Sequence, residues 1–475
     1  ANVVGKVQVL RNFSEVDQLR SVTNNEDNIA INISLKSGKD KFWFGEITAG
    51  AGNEDRFIVA PKLFYYAKDM SMSMLGNSNN IGDPPLSRRD FYKFGGGFGN
   101  LNARTGTSID INSDDAGLSS LQNNRAKSID AQLGAYNFSI SPNEALEISG
   151  FAILAKTKNQ LENKVTRTYT ASDAVEETSD FIFQENEQQL YKFTTKYQSN
   201  ENLQTEYNLL IKSSRQNELT DLTSISGRGT NQVMDQIDEL KSQNPSSVNQ
   251  ELKAYYTLNE DHIFSFEAQH LSQKEDPFYR ATRGAQPFVN ILPLNTNQSR
   301  FNINQNREIK TNKMEGKLDY FYILTPKSNL NFTFGITDVN QDFNSSIFQV
   351  YDNKSANYFI EANLSNQVNF KFRDIYVAMH YRFITGIFTF DPGVTLHSYK
   401  TATNQLGKLI SNDFTFFRPD FRVLVKFKAS ETLRLIYRST RQFTDVNNLA
   451  EGYIFRNYNS FLQGNPNLEA ASFNA

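Results

Sequence analysis

Alternation with a period of two runs through most of this chain, and it restricts the fold more than any other feature. In 203–212, Leu203, Tyr207, Leu209 and Ile211 fall on one face, with Gln204, Glu206, Asn208 and Lys212 on the other. The same rhythm opposes Leu330, Phe332, Phe334 and Ile336 to Asn331, Thr333 and Gly335. It opposes Ile375, Val377, Met379, Tyr381 and Phe383 to His380 and Arg382, and Phe421, Val423, Val425 and Phe427 to Arg422, Lys426 and Lys428. Successive strand side chains point to opposite faces, so each run has one apolar and one polar surface. Helical spacing stands out only at 231–242, where a short helix is expected inside a polar connection. The fold class is all-β.

The connections alternate in length. Short turns of Asn, Asp, Gly, Pro and Ser type fall near 67–69, 141–143, 199–202, 259–261, 326–328, 385–386 and 429–431. Between them lie long polar segments, 79–126, 157–187, 214–250, 273–312, 339–373 and 399–414, which read as loops. A strand, a long loop, a returning strand and a tight turn account for each repeat, giving about fifteen strands between 42 and 440.

Two architectures compete for such a pattern. A soluble propeller or tandem sandwich buries a core rich in Val, Ile and Leu, with loops not sorted by end. Here the apolar face is dominated by 38 Phe and 21 Tyr, and the long connections share one end. That is the signature of a transmembrane antiparallel β-barrel, polar inside and apolar outside, in which closure satisfies every backbone group in lipid. The absence of cysteine excludes disulfides, thiolate metal sites and a Cys nucleophile, and a net charge of −3 excludes bulk basicity for binding nucleic acid. Parity makes a further demand. Bacterial single-chain barrels close with even strand numbers, so about fifteen strands point to a partial chain, missing its start and its last several strands.

Two landmarks carry a family resemblance. Val7-Gln8-Val9-Leu10-Arg11-Asn12 followed by Ile29-Ala30-Ile31-Asn32-Ile33-Ser34-Leu35-Lys36 resembles the end of the plug domain of TonB-dependent outer-membrane receptors. Gly464-Asn465-Pro466-Asn467-Leu468-Glu469 resembles an external-loop segment of the same family, with Ala470-Ala471 in place of the usual Pro-Glu. Asn12-Phe13-Ser14 and Lys41-Phe42-Trp43-Phe44-Gly45-Glu46 look most like receptors from the Bacteroidetes. The resemblance implies that 1–38 is the C-terminal part of a plug and 39–475 the N-terminal two-thirds of a barrel of the family's twenty-two-stranded type. It implies a Gram-negative outer-membrane location and uptake of a scarce, bulky ligand with no cofactor. It further implies TonB as a partner through a box upstream of Ala1, and leaves room for a surface lipoprotein over the loops. A passive channel or structural barrel and a soluble β-rich adhesin are the alternatives.

Residues for chemistry are few. Asp110-Ile111-Asn112-Ser113-Asp114-Asp115-Ala116-Gly117 lacks the sixth-position Gly and twelfth-position Glu of a calcium loop, since Asp115 and Leu121 stand there. The run Phe94-Gly95-Gly96-Gly97-Phe98-Gly99-Asn100 lacks the Lys of a phosphate cradle and reads as a lumen-lining loop. His262, His270, His380 and His397 are scattered singly, and nothing marks a nucleophile elbow, so no catalytic, metal or cofactor residues are assigned and an enzyme is not expected. Glu315, Lys317 and Asp319, like Arg422, Lys426 and Lys428, are expected to face a watery lumen, because a cation at mid-membrane costs ~2–4 kcal/mol. Ligand contacts are expected from aromatic external loops, through Phe278, Tyr279 and Arg280 in one and Tyr453, Phe455, Arg456 and Tyr458 in another.

Overall fold

The computed structural model describes residues 4–11, 14, 16–20, 22, 29–35, 41–83, 106–109, 126–170, 174–228, 231–428 and 431–474. The acidic string at 110–117 and the glycine-rich run at 94–100 lie outside the described residues. A hairpin comes first, β1 (Val4–Arg11) paired antiparallel with β2 (Ile29–Leu35).

The barrel wall begins with β3 (Phe42–Ala51), β4 (Phe57–Ala67) and β5 (Met70–Asn79). A three-residue strand, β6 (Thr107–Ile109), precedes β7 (Ser128–Asn143), β8 (Leu146–Tyr169), β9 (Ala174–Asn200) and β10 (Leu203–Arg228). Two interrupted passes follow, β11 (Asn231–Gln243) with β12 (Ser246–Asn259), then β13 (His262–Glu275) with β14 (Phe278–Arg283). The wall continues through β15 (Phe301–Thr325), β16 (Ser328–Val350), the short β17 (Ala356–Tyr358), β18 (Ser365–Thr385), β19 (Phe388–Gln405), β20 (Lys408–Lys428) and β21 (Glu431–Tyr437). Among the described residues, counting each interrupted pass once and setting β17 aside, the ring from β3 to β21 has fifteen passes. The all-β antiparallel barrel expected from the alternation is therefore what the chain forms.

The interruptions have a plain cause. Pro245 and Pro277 carry no N–H for the ladder, so pairing lapses there. The register nevertheless carries through. On β10, Ser213 faces Ser246 below the gap and Gln216 faces Gln243 above it, with Ser214 N donating to the Pro245 carbonyl across 3.0 Å. The Asp276 carboxylate stands in for one missing partner, accepting from Asn244 N at 2.5 Å.

The outer face of β16 and β18 shows how the wall meets its surroundings. Near the short turns, Phe332, Phe334 and Ile336 on β16 and Ile375, Val377, Met379 and Tyr381 on β18 are exposed, Phe334 at 54 %. Farther up the same faces stand Asp338, Asn340, Asp342 and Asn344, and Gln367, Asn369, Lys371 and Arg373, with Arg373 paired to Asp338 at 2.7 Å. On β15, Met314, Leu318, Tyr322 and Leu324 likewise give way to Asn306, Glu308, Lys310 and Asn312. The greasy band is thus roughly ten residues long; at ~3.3 Å per residue and ~40° tilt its height is about 25 Å, the thickness an outer-membrane barrel presents to lipid. Where the band ends, the phase of the apolar residues inverts. Above it, Val339, Phe343 and Ile347 of β16 point inward and are fully buried.

That inversion explains where the sequence reading departs from the structure. The segments 157–187, 214–250, 273–312, 339–373 and 399–414 are mostly strand, with β9 reaching 27 residues and β10 reaching 26. Above the band the outer face is wet and therefore polar, while the inner face mixes apolar and amide side chains, so the composition reads as loop although the backbone stays extended. The helix expected at 231–242 is also strand. β11 pairs with β10 from Gln216–Gln243 to Arg228–Asn231, and it buries Asp235, Ile237 and Glu239 at a period of two. Here tertiary pairing overrides a weak helical propensity.

Inside the band the lumen is polar, as expected for Glu315, Lys317 and Asp319. Lys317 bridges Glu267 and Asp319 at 3.2 and 3.1 Å, and Lys313 pairs with Glu315 at 3.0 Å. Arg422 pairs with Asp391 at 2.6 Å, whereas Lys428 stays exposed beside Glu431. The inner wall also packs by close approach. A Cβ on Gly335 would fall within the Tyr376 ring from the neighbouring strand, so only glycine leaves the ring its place.

Candidate functional site

Both ends of the bore hold segments of the chain itself. At the end bearing the short turns, Val22 is buried against Ile263 and Phe321. Gln18 Nε2 donates to the Glu201 carbonyl at 3.1 Å, and an Arg382 guanidinium N–H donates to the Val22 carbonyl at 2.9 Å.

At the other end, the residues after β21 fold back into the bore. β22 (Ser439–Phe443) pairs in parallel with β6 and antiparallel with β25 (Ala471–Asn474). Between them lie a single helical turn, Val446–Leu449, capped by the Asp445 carboxylate, and a hairpin of β23 (Ile454–Asn457) and β24 (Ser460–Leu462). Apolar side chains hold this insert. Phe443, Val446, Leu449 and Ile454 pack on Phe370, Phe372, Val339 and Phe343 of the wall. Phe455 and Tyr458 pack on Tyr279, Ile237, Ile303 and Ile347.

Buried wall amides satisfy the insert's backbone, since groups shut away from water need partners. Gln305 accepts from Phe455 N at 2.8 Å and donates to the Tyr453 carbonyl at 2.9 Å. Asn366 accepts from Gly452 N at 2.8 Å and donates to its carbonyl at 3.2 Å. Gln341 accepts from Val446 N at 3.2 Å, and Glu239 accepts from Tyr458 N at 3.1 Å. The Gly464–Glu469 landmark closes the insert. Gly464 N donates to the Ala450 carbonyl at 2.7 Å and Asn465 N to the Asn448 carbonyl at 2.8 Å, so close an approach that a Cβ at 464 would overlap both residues.

Between insert and wall lies a pocket of about 250 Å³. It sits at the level of the two proline interruptions, with Pro277, Gln243 and Glu275 in its lining. Inward positions of β9, β10 and β11 supply Gln184, Asn186, Gln216, Glu218 and Lys241, and β15 supplies Arg307. Asn447, Phe455 and Arg456 come from the insert. Lys241 pairs with Glu218 at 2.8 Å, and Gln184 Nε2 donates to the same carboxylate at 2.8 Å. Burial pushes the Glu218 carboxyl up, but the Lys241 ammonium and the Gln184 amide outweigh it and leave the group below its ordinary value. Burial alone pulls the Lys241 ammonium down, and Glu218 more than restores it. Burial and then the Glu239 carboxylate, to which its hydroxyl donates, push the Tyr279 phenol well above the usual range.

Four of the seven residues singled out from sequence, Phe278, Tyr279, Phe455 and Arg456, line this one pocket although far apart in the chain. Their expected setting in external loops is corrected. Phe278, Tyr279 and Arg280 belong to wall strand β14, and Phe455 and Arg456 to β23 within the bore. Tyr279 and Phe455 are almost fully buried, their rings 5.2 Å apart. Arg280 alternates to the opposite face of β14 from Tyr279 and lies outside the pocket lining. Tyr453 packs on Phe461 at 5.0 Å, and Tyr458 lies under the Arg283 guanidinium. The amides Gln184, Asn186, Gln216 and Gln243 were missed. In a polar stretch, an inward amide has the same one-letter signal as an outward one.

The histidines show one buried constellation. His397 Nδ1 lies 3.0 Å from both Asp374 oxygens, and Thr107 Oγ1 donates to Asp374 at 2.9 Å while bonding the Tyr399 hydroxyl at 2.8 Å. The carboxylate stands between hydroxyl and imidazole, so the hydroxyl donates to Asp374 and not to His397; this order differs from that of a Ser-His-Asp triad and suits anchoring β6 to the wall.

A scan against protein-family models finds no match, and no curated protein matches the chain. Among solved structures, the chain is similar to the ferric-catecholate import receptor Fiu from Escherichia coli K12 in its open form, at 8 % identity and a TM-score of 0.29, covering 86 % of this chain and 74 % of that one. It is similar to BauA, the ferric preacinetobactin receptor from Acinetobacter baumannii, at 7 % identity and a TM-score of 0.26, over 86 % of this chain and 72 % of that one. It is also similar to the FrpB iron transporter from Neisseria meningitidis, at 10 % identity and a TM-score of 0.19, over 92 % and 82 % of the two chains.

Proposed function

We propose that this chain is the plugged barrel of a TonB-dependent receptor in a Gram-negative outer membrane, of the Bacteroidetes type its opening motifs resemble. The observation that carries the reading is a barrel with a band of exposed Phe, Tyr, Leu and Val around a bore occupied at both ends by its own chain. A surface that greasy is costly in water and favourable in hydrocarbon. An occupied bore does not serve passive flow; it serves a ligand that binds first and passes after a rearrangement. In this reading, β1, β2 and the residues at 16–22 are the end of the plug domain within 1–38, and the ligand binds from outside at the pocket between insert and wall. TonB supplies the work of opening, and a lipoprotein over the outer mouth is compatible with the arrangement.

The test uses cells. Deleting the gene and deleting TonB should abolish the same growth phenotype across a panel of scarce nutrients. A phenotype of the gene deletion that persists unchanged without TonB refutes energised uptake and favours a passive channel.

A further inference from the structure

We propose that a hollow on the outer wall, where β4, β5, β7, β8 and β9 cross the top of the greasy band, seats one membrane lipid, its acyl chain on Gly134 and a zwitterionic head on the charged row above. The inference goes beyond the ligand pocket and rests only on the outer-membrane part of the reading above. Cross-strand register lays the hollow out in three outward rows. Met74, Tyr136 and Tyr191 form an apolar row toward the short turns. Gly76, Gly134 and Leu154 form a nearly bare row above it, and Ser78, Gln132, Lys156, Glu187 and Arg215 a polar row above that. The space between is about 650 Å³, with Gly76, Gly134, Leu154, Gln132 and Lys156 in its lining. The Tyr136 hydroxyl turns away from it to donate to Met72 Sδ at 3.2 Å.

Gly134 carries the argument. Glycine in mid-strand weakens the sheet, and its usual reasons are a bulge, a left-handed φ, tight packing within the chain or the close approach of another molecule. The pairing of Gly134 with Gly76 and Leu154 runs through without a shift, and its φ lies outside the left-handed region. A Cβ there would meet nothing within 4 Å, unlike one on Gly76, which would press on the Pro61 ring. Among the described residues, then, nothing asks position 134 to be bare, and what remains is a molecule from outside. Its level names the molecule. Apolar below and polar above is the order of a lipid at the edge of the hydrocarbon, chain first and then head. The polar row alternates in charge: Lys156 pairs with Glu185 and Glu187 at 2.8 and 2.5 Å, and Arg215 stands across from Glu187. A head of either single sign meets like charges on this row, whereas a phosphate joined to an ammonium finds a partner for each.

The experiment is native mass spectrometry of the full chain released from lauryldimethylamine oxide micelles, with dimyristoyl phosphatidylethanolamine, phosphatidylglycerol or diacylglycerol added in turn. A single phosphatidylethanolamine per chain should be retained at concentrations where the other lipids are stripped. Gly134→Leu fills the seat and should remove that adduct, yet the variant should unfold no more easily than its parent, because a strand loses a glycine and nothing is displaced. Lys156→Ala deletes a charge-assisted contact to the head and should weaken retention ~10-fold. Retention of no lipid, or equal retention of all of them, overturns the proposal, as does an adduct that Gly134→Leu leaves intact. Phosphatidylglycerol held in place of phosphatidylethanolamine overturns the zwitterionic head. A dimer that Gly134→Leu dissolves overturns the lipid in favour of a second copy of this chain. None of these results touches the TonB-dependent growth phenotype, whose absence is the separate failure of the receptor reading.

Discussion

A lysine placed twice on one outward face would locate the edge of the hydrocarbon. Phe334 and Asn344 lie ten residues apart on β16, both exposed and both outward. Phe334 faces Leu318 on one neighbouring strand and Val377 on the other, inside the band. Asn344 stands above it, on the stretch where Asp338, Asn340 and Asp342 share its face. Replacing Phe334 loses cross-strand packing of ~0.2–1 kcal/mol per pair, which Phe334→Ala measures on its own. The further step from Ala to Lys isolates the ammonium in lipid, at ~2–4 kcal/mol near mid-membrane and ~0–1 kcal/mol at the interface. The Lys-minus-Ala difference at 334 should therefore exceed that at 344 by ~2–3 kcal/mol, or ~30–150-fold in the folding equilibrium. The assay is guanidinium unfolding from lipid vesicles, followed by the fluorescence of Trp43, the sole tryptophan of the chain. Equal differences at the two positions, within ~0.5 kcal/mol, would refute a hydrocarbon band and with it the transporter reading.

Further outcomes follow from the insert and the pocket. Gln305→Leu should leave Phe455 N–H and the Tyr453 carbonyl buried without a partner, each at ~1–3 kcal/mol, and hydrogen exchange at 453–455 should rise accordingly while the wall strands keep their protection. Gly335→Val should destabilise by forcing the Tyr376 ring aside, and Tyr376→Ala in the same chain should recover part of the loss; independent, additive costs would refute the packing argument. The Glu218–Lys241 pair sets a pH window. A carboxyl held below its ordinary value contributes above that value and loses its contribution as pH falls through the lowered one, while the raised Lys241 keeps its contribution until pH climbs past the ordinary lysine range. Exchange protection around the pocket should therefore be flat from about pH 5 to about pH 9 and fall on the acid side, and Glu218→Gln should flatten the acid limb.

Much of the wall was legible because period two is a local signal. Where Phe332, Phe334 and Ile336 face outward and Thr333 and Thr337 face the bore, each residue's polarity reports its side directly. The upper halves of the same strands were not legible. Val339, Phe343 and Ile347 turn inward beside the equally inward Gln341, Ser345 and Gln349, so polarity no longer reports direction. The aromatic segments at 278–280 and 453–458 stood out as unusual, yet their burial depended on each other. No local rule brings Phe455 across the bore to Tyr279; that takes Gln305 and Asn366 satisfying the insert's backbone from strands about 150 and 86 residues away.

By itself, then, the sequence determined the strand class, the turn positions and the greasy band, all of which follow from what one residue and its near neighbours prefer. Only the tertiary structure decided that the long polar stretches remain strands above the band, that the residues after β21 return into the bore, and that amides from three strands meet aromatics from two more. Those features arise from groups distant in sequence satisfying one another out of reach of water, and a buried amide and a solvated one are spelled alike.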